Sequence, residues 1–167
     1  LGVEQQLLTA HEIHDLEPHI RKIYHSGIYY PSARHARNPK KILLKLFDLF
    51  LQKGGHFEKQ NVNTINFSSD EKPIIKTNLN SYIFDKSVIA CGAFSKKLTD
   101  EVNEKIPLDT ERGYHVHFKG HDHLLTRPVI FLNRGFGITP MEPGLRVVGT
   151  VEFGGLNNPI SKKRIIN

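Results

Sequence analysis

The sequence lacks several residue types and motifs, and most of these absences argue against a particular class of protein. No tryptophan occurs among the 167 residues, and there is one cysteine and one methionine. A single cysteine excludes an internal disulfide and is compatible with a reducing compartment. No apolar run approaches the roughly 20 residues that a membrane-spanning helix needs. The motifs G-x-x-x-x-G-K-[ST] and G-x-S-x-G are absent, which removes the main sequence support for a P-loop nucleotide-binding protein or an α/β-hydrolase.

The length and composition fit a globular chain of one-domain size that can bury a real core. Hydrophobic residues make up 38% of the chain and charged residues 24%, and the formal net charge is +6. The basic residues are scattered, and their densest group is Lys162-Lys163-Arg164 near the end. We therefore expect no nucleic-acid partner. A basic interaction module without chemistry remains an alternative, and it predicts nucleic-acid binding that weakens steeply with salt.

Two helices are predicted in the first third of the chain. Thr9 to Glu12 has the form of a capping box, and the helix that it starts should end near Pro18. Asn38-Pro39 predicts the start of a longer helix, Lys40 to Lys53, which Gly54-Gly55 ends. Apolar residues at helical spacing form one wide face that should pack on a sheet, at positions 42, 43, 46, 47, 50 and 51. A helix lying on a membrane surface is the alternative.

Short strands are predicted next, and they lead to a turn with chemical interest. The strands cover Val62 to Phe67, Ile74 to Thr77 and Tyr82 to Phe84. Val88 to Ala90 predicts a strand buried on both faces, followed by a Cys91-Gly92-Ala93 turn and a helix from Ser95 towards Lys105. Backbone N–H groups at such a strand-to-helix turn suit an anion such as a pyrophosphate, although an ordinary buried strand with a glycine turn gives the same pattern. The Cys91 thiol should be buried and inert.

The pattern changes near residue 107. Longer strands follow, and they predict an antiparallel sheet over Thr110 to Phe118, Val129 to Leu132, Phe136 to Thr139 and Leu145 to Phe153. Helices with short strands before the change and long antiparallel strands after it indicate an α+β fold with an internal boundary.

Four histidines lie close together in this second part. His115 and His117 share a face of a strand, and His121 and His123 follow in a loop. Each pair could bind one metal ion, so a metal-binding β-domain that uses all four is an alternative function. A histidine-rich strand without metal is the simpler interpretation, and we expect no metal.

Several segments together resemble a known family of flavoenzymes. In order and spacing they are similar to FAD-dependent D-amino-acid and amine oxidoreductases, a group that includes D-amino-acid dehydrogenase, glycine oxidase and sarcosine oxidase. The resemblance implies the central part of a two-domain enzyme. Residues 38–107 would belong to the FAD-binding domain, and residues 1–37 and 108–167 to the substrate-binding domain. The segments that carry the resemblance are Asn38-Pro39 to Gly54-Gly55, Val62 to Ile65, Val88 to Ser95, Ile106-Pro107 with Arg112 to His115, and Leu145 to Phe153.

The resemblance also implies which residues meet the cofactor and the substrate. Val62 matches the position whose backbone meets the adenine end of FAD, and the turn from Ala90 to Phe94 matches the part that passes the phosphates and ribose. On the substrate side of the flavin we expect residues of the sheet strands, and ordinary sheet packing is the alternative for each. The cofactor-binding residues are Val62, Ala90, Cys91, Gly92 and Phe94, and the substrate-side residues are Tyr114, Phe136 and Glu152.

The activity implied by the resemblance is the oxidative deamination of an amino acid, with a D-amino acid as the first candidate. A hydride passes from the α-carbon to the flavin, and the imino acid hydrolyses to a keto acid and ammonia. We name no catalytic residue. The partners expected are a small amino-acid substrate, FAD in the full-length enzyme, and FAD-domain segments that the chain lacks. The chain alone should therefore be inactive and bind FAD weakly or not at all. Self-association and a cytoplasmic location, with the inner face of the bacterial membrane as a peripheral site, are further expectations.

Overall fold

A computed structural model describes residues 2–166 of the chain. The helices are α1 (Ala10–Leu16), α2 (Pro39–Gln52), α3 (Ser95–Glu101) and α4 (Lys163–Ile166), with 3-10 turns at Gly92–Phe94, Asp122–Leu124 and Leu132–Arg134. The strands are β1 (Gln6–Thr9), β2 (Ser26–Tyr29), β3 (Val62–Phe67), β4 (Pro73–Thr77), β5 (Ser81–Ile83), β6 (Arg112–Lys119), β7 (Val129–Phe131), β8 (Phe136–Met141) and β9 (Gly144–Glu152). The predicted α+β fold, with its antiparallel strands after residue 110, is confirmed.

The chain divides into two compact units. The first consists of Leu1–Phe47, Gly113–Val151 and Ile160–Asn167, and the second of Asp48–Arg112 and Glu152–Pro159. The assignment of residues 38–107 to an FAD domain, and of residues 1–37 and 108–167 to a substrate domain, stays a prediction.

A four-stranded sheet is the main element of the first unit. Its strand order is β6-β9-β8-β7, and the β7–β8 and β8–β9 pairs are antiparallel. Gly144 begins β9 after a tight turn, with φ of 138°. A Cβ atom at Gly144 would lie 2.1 Å from the carbonyl oxygen of Phe118. Only glycine fits this approach between the turn and the end of β6.

Local signals in the sequence explain the N-terminal part of the same unit. The predicted capping box is present, because Glu12 Oε2 accepts the Thr9 N–H at 2.8 Å and Thr9 Oγ1 accepts the Glu12 N–H at 3.4 Å. Helix α1 ends before Pro18, as predicted. Strands β1 and β2 flank the helix in sequence and pair antiparallel with each other.

The second unit contains a three-stranded antiparallel meander. Strands β3, β4 and β5 follow the predicted segments closely, and they pair in the order β3-β4-β5. Helix α3 packs against β3. Ile65 of β3 and Leu98 of α3 are both buried and form the centre of this unit.

Helix α2 begins and ends as predicted, but its apolar face is exposed. Asn38 Oδ1 accepts the Lys41 N–H at 3.0 Å, and Gly54 follows the helix with φ of 84°. No residue of α2 is buried, and Leu43 is 66% exposed. The prediction that this face packs on a sheet is therefore wrong for the described residues. Helical periodicity identifies a face that can be buried, but it does not supply the surface that covers it. None of the described helices is long and apolar enough to span a membrane.

The predicted strand from Val88 to Ala90 is also wrong. These residues are irregular, and Val88 is 88% exposed. A strand needs a neighbour for its backbone N–H and C=O groups, and no strand in the described part of the chain pairs with this segment. Cys91 is exposed as well, which corrects the expectation of a buried thiol.

Candidate cofactor and substrate sites

The turn that contains four of the five predicted cofactor residues leads into a helix as expected, but the strand predicted before it is not formed. Gly92 has φ of 54° and opens a 3-10 turn that runs directly into α3. The Phe94 N–H donates to the Cys91 carbonyl at 3.1 Å, and the Cys91 N–H donates to Ser95 Oγ at 3.1 Å. A Cβ atom at Gly92 would meet no heavy atom within 4 Å. The space beside Gly92 is therefore open, and the contact of this turn with a dinucleotide stays a prediction.

Val62, the fifth predicted cofactor residue, lies in the same unit as the turn. It opens β3, and the pairing of β3 with β4 shifts between Val62 and Thr64. Asn78 fixes the chain just before it, because Asn78 Oδ1 accepts the Asn61 N–H at 3.0 Å. Helix α3 packs against β3, and the turn leads directly into α3. Val62 is 38% and Phe94 64% exposed, and their assignment to an FAD site stays a prediction.

The structure places the three predicted substrate residues in different surroundings. Tyr114 is buried, and its hydroxyl oxygen accepts the Ser161 N–H at 2.9 Å. Glu152 lies in the second unit, where Arg112 Nη1 is 3.5 Å from its Oε2. Phe136 lines a cavity. Their role towards a substrate stays a prediction.

The cavity beside Phe136 lies within the first unit and has a volume of about 330 Å³. Its aromatic part is formed by Phe136 and Phe131, whose ring centres are 4.9 Å apart, and by Tyr24, whose ring is 5.2 Å from that of Phe131. Arg21 and Arg134 also line it. An apolar wall with a few cationic groups suits an apolar ligand that carries a negative charge. Tyr24 and Phe131 could not be identified as cavity residues from the sequence, because they are about 100 residues apart and neither belongs to a motif.

The four histidines do not form a metal centre. The rings of His115 and His117 are 5.1 Å apart and edge-on, and those of His121 and His123 are 6.4 Å apart and stacked. Within residues 2–166, no group of three histidine, cysteine, aspartate or glutamate residues could hold a metal ion. The described residues therefore give no support to the alternative function as a metal-binding domain. Two ligands without a third do not make a zinc site.

The chain is similar to several known oxidases and dehydrogenases. A D-amino-acid oxidase of Bradyrhizobium diazoefficiens is 29% identical over 164 residues, which are 98% of this chain and 39% of that protein. Glycine oxidase from Geobacillus kaustophilus superposes with a TM-score of 0.84 at 22% identity, over 99% of this chain and 45% of that one. L-proline dehydrogenase from P. horikoshii gives a TM-score of 0.82 at 17% identity, over 98% and 46%. The chain thus spans less than half the length of these relatives.

The family match covers almost every residue. The model for FAD dependent oxidoreductases (DAO) matches residues 1–166. The solved structures share the fold over the same extent. This chain belongs to the DAO family of FAD dependent oxidoreductases.

Proposed function

We propose that this chain is the central part of an FAD-dependent enzyme that oxidatively deaminates a D-amino acid. The observation that carries the proposal is the family match over residues 1–166, which leaves no segment of the described chain for an unrelated module. The Bradyrhizobium relative supports the choice of a D-amino acid, because D-amino-acid oxidase is the name that it bears. Glycine is the second candidate, since a solved structure with a TM-score of 0.84 is a glycine oxidase.

The cofactor-binding role falls to the backbone of the second unit. The residues that would hold FAD are Val62, Ala90, Cys91, Gly92 and Phe94. When bound, FAD supplies a ring that accepts the hydride from the substrate's α-carbon. The side of Gly92 without a Cβ atom allows the main chain to approach the cofactor closely. Ser95 holds the turn in position, because its Oγ accepts the Cys91 N–H.

On the substrate side we keep Tyr114, Phe136 and Glu152 as candidates. Phe136 has the strongest support, because it lines a cavity that also contains arginine side chains. The hydroxyl of Tyr114 is engaged by Ser161, so this residue would orient the sheet around the substrate. A small amino acid is the partner that we propose for the whole protein, with no nucleic acid involved.

The test uses the protein encoded by the complete gene. We expect it to purify with flavin absorbance and to release ammonia and a keto acid from D-alanine, with a smaller rate on glycine. L-alanine provides the matched control, because it differs only in the configuration of the α-carbon. A flavin-free protein, or one with equal activity on both alanine enantiomers, would contradict the proposal. The flanking coding sequence gives an independent check, since a G-x-G-x-x-G motif upstream is expected.

A further inference from the structure

Asn78 fixes the chain beside Val62 with two hydrogen bonds in the second unit. Its side-chain Oδ1 accepts the Asn61 N–H at 3.0 Å, and its own N–H donates to the Asn61 carbonyl at 3.0 Å. Both backbone polar groups of Asn61 are therefore bound to a single residue. Since Asn61 directly precedes Val62, these two bonds fix the point at which β3 begins.

The start of β3 is irregular, and packing alone does not hold it. The register with β4 shifts between Val62 and Thr64, which makes Asn63 an extra residue in β3. A bulge of this kind interrupts the ladder of backbone hydrogen bonds and changes the direction of the strand. Val62 is also 38% exposed. The position of its main chain therefore depends on local hydrogen bonds more than on burial.

The turn that carries Asn78 is closed by its own hydrogen bonds. Thr77 Oγ1 accepts the N–H groups of Leu79 and Asn80 at 3.1 and 2.9 Å, and the Thr77 N–H donates to the Asn80 carbonyl at 2.8 Å. Thr77 Oγ1 also donates to Gln60 Oε1 at 2.5 Å. The turn and the segment before β3 are thus joined by side-chain bonds from two neighbouring residues. Such preorganisation lowers the entropy cost of binding a ligand.

We propose that Asn78 is a positioning residue for FAD, which holds the main chain at Val62 where that chain would meet the adenine end of the cofactor. The proposal rests on the proposed function, in which Val62 is one of the residues that hold FAD. Groups that contact a ligand need to be held within about 0.5 Å of the productive geometry, and supporting hydrogen bonds provide this. Asn78 acts through Asn61, so its loss should weaken binding of the adenine end and leave the surroundings of the flavin ring unchanged.

Titration calorimetry tests the role of Asn78 on the flavin-free protein encoded by the complete gene, with FAD, ADP and FMN as probes. ADP carries the adenine end without the flavin ring, and FMN carries the flavin ring without adenine. Asn78→Ala should weaken FAD and ADP about tenfold and leave FMN unchanged. Asn78→Asp keeps an Oδ acceptor and should stay within about threefold of the parent for all three. The matched control is Asn66→Ala, an exposed asparagine of the same strand, which should change none of the affinities.

Three results would contradict the role of Asn78. They are equal FAD affinity in the parent and in Asn78→Ala, equal losses for FAD and FMN, which indicate a general loss of structure, and a failure of Asn78→Asp to restore FAD affinity. A complete protein that binds no FAD would overturn the proposed function as well, so the two failures can be told apart. If Asn78→Ala lost its folded circular dichroism spectrum, Asn78→Gly would decide, because glycine suits a turn, lacks the Oδ1 acceptor and should also bind FAD about tenfold more weakly.

Discussion

The Arg127 Nε atom lies 3.0 Å from Oε1 of Glu17, a carboxylate that is buried with only 3% of its residue surface exposed. The same carboxylate accepts hydrogen bonds from the N–H and the hydroxyl of Thr126 at 2.5 to 3.1 Å. Arg127 also stands over the ring of Tyr29, with its guanidinium carbon 5.3 Å from the ring centre. Glu17 thus ties the end of α1 to the segment before β7, about 110 residues away.

Replacing Glu17 by alanine should destabilise the chain by about 3 kcal/mol, because it leaves Arg127 and Thr126 without their shared acceptor in a buried place. Urea unfolding followed by circular dichroism measures the loss. The control is Asp85→Ala, which breaks an exposed ion pair with Lys72 and should cost less than about 1 kcal/mol. Similar losses in the two variants would show that the Glu17 network contributes no more than a surface pair.

The turn before β9 should tolerate only glycine. In Gly144→Ala the new methyl group would collide with the Phe118 carbonyl, and φ of 138° is unfavourable for any residue with a side chain. We expect a loss on the order of 3 kcal/mol or more in the free energy of unfolding. Gly113→Ala is the control, because a Cβ atom there meets nothing within 4 Å. A Gly144→Ala protein with the unfolding midpoint of the parent would contradict the close approach of the turn to β6.

Local elements of this fold could be predicted from the sequence, and features that depend on distant residues could not. Thr9 and Glu12 specify their capping box over three residues, and Asn38 caps α2 in the same way. Glu17 is different: nothing near it in sequence indicates burial, because its acceptor role depends on Thr126. Val88 shows the opposite failure, since an apolar run predicts a strand only if a neighbouring strand exists. The candidate cofactor turn could be predicted from the sequence, because Gly92 and Ser95 shape it through contacts with residues close to them in the chain. The cavity beside Phe136 could not be predicted, because its lining residues come from distant parts of the chain.

Acid should weaken the contact between Glu142 and the start of α2. Hydrogen bonds from Lys41 and Asn38, in that order, hold the pKa of Glu142 below its ordinary 4.5. A lowered pKa in the folded state means that the contact stabilises the protein above the unfolded pKa and is lost as pH falls through the folded pKa. Between pH 7 and 3 we therefore expect Glu142→Gln to lose less stability than the parent. Thermal melts at each pH measure this, with Glu104→Gln as the control. If the melting temperatures of the parent and of Glu142→Gln changed in parallel with pH, the Glu142 contact would make no pH-dependent contribution to stability.

The exposed face of α2 should cause the chain to self-associate. Leu43 and Leu46 are 66% and 60% exposed, and they belong to a continuous apolar stripe. Replacing both with glutamate should shift the protein towards monomer without lowering its unfolding midpoint, since neither side chain is buried. Size-exclusion chromatography with light scattering measures the mass. The control is Lys40→Glu, which also introduces a negative charge, but at the start of the helix and outside the apolar stripe. It should leave the association intact. Unchanged association in the double variant would locate the contact elsewhere.

The 167-residue chain by itself should bind FAD with a dissociation constant on the order of 1 mM or weaker. Val62 and the turn from Ala90 to Phe94 offer mainly backbone contacts, and the sequence contains no G-x-G-x-x-G motif for the pyrophosphate. Each charge-assisted hydrogen bond to a pyrophosphate is worth about 1.5–3 kcal/mol, so the loss of two or three removes most of a tight affinity. Quenching of FAD fluorescence on titration measures binding. Gly92→Val is the matched control, because a side chain at the open turn should abolish any affinity that the parent retains. A yellow parent protein that oxidised D-amino acids would show that the residues of this chain are sufficient for both cofactor binding and catalysis.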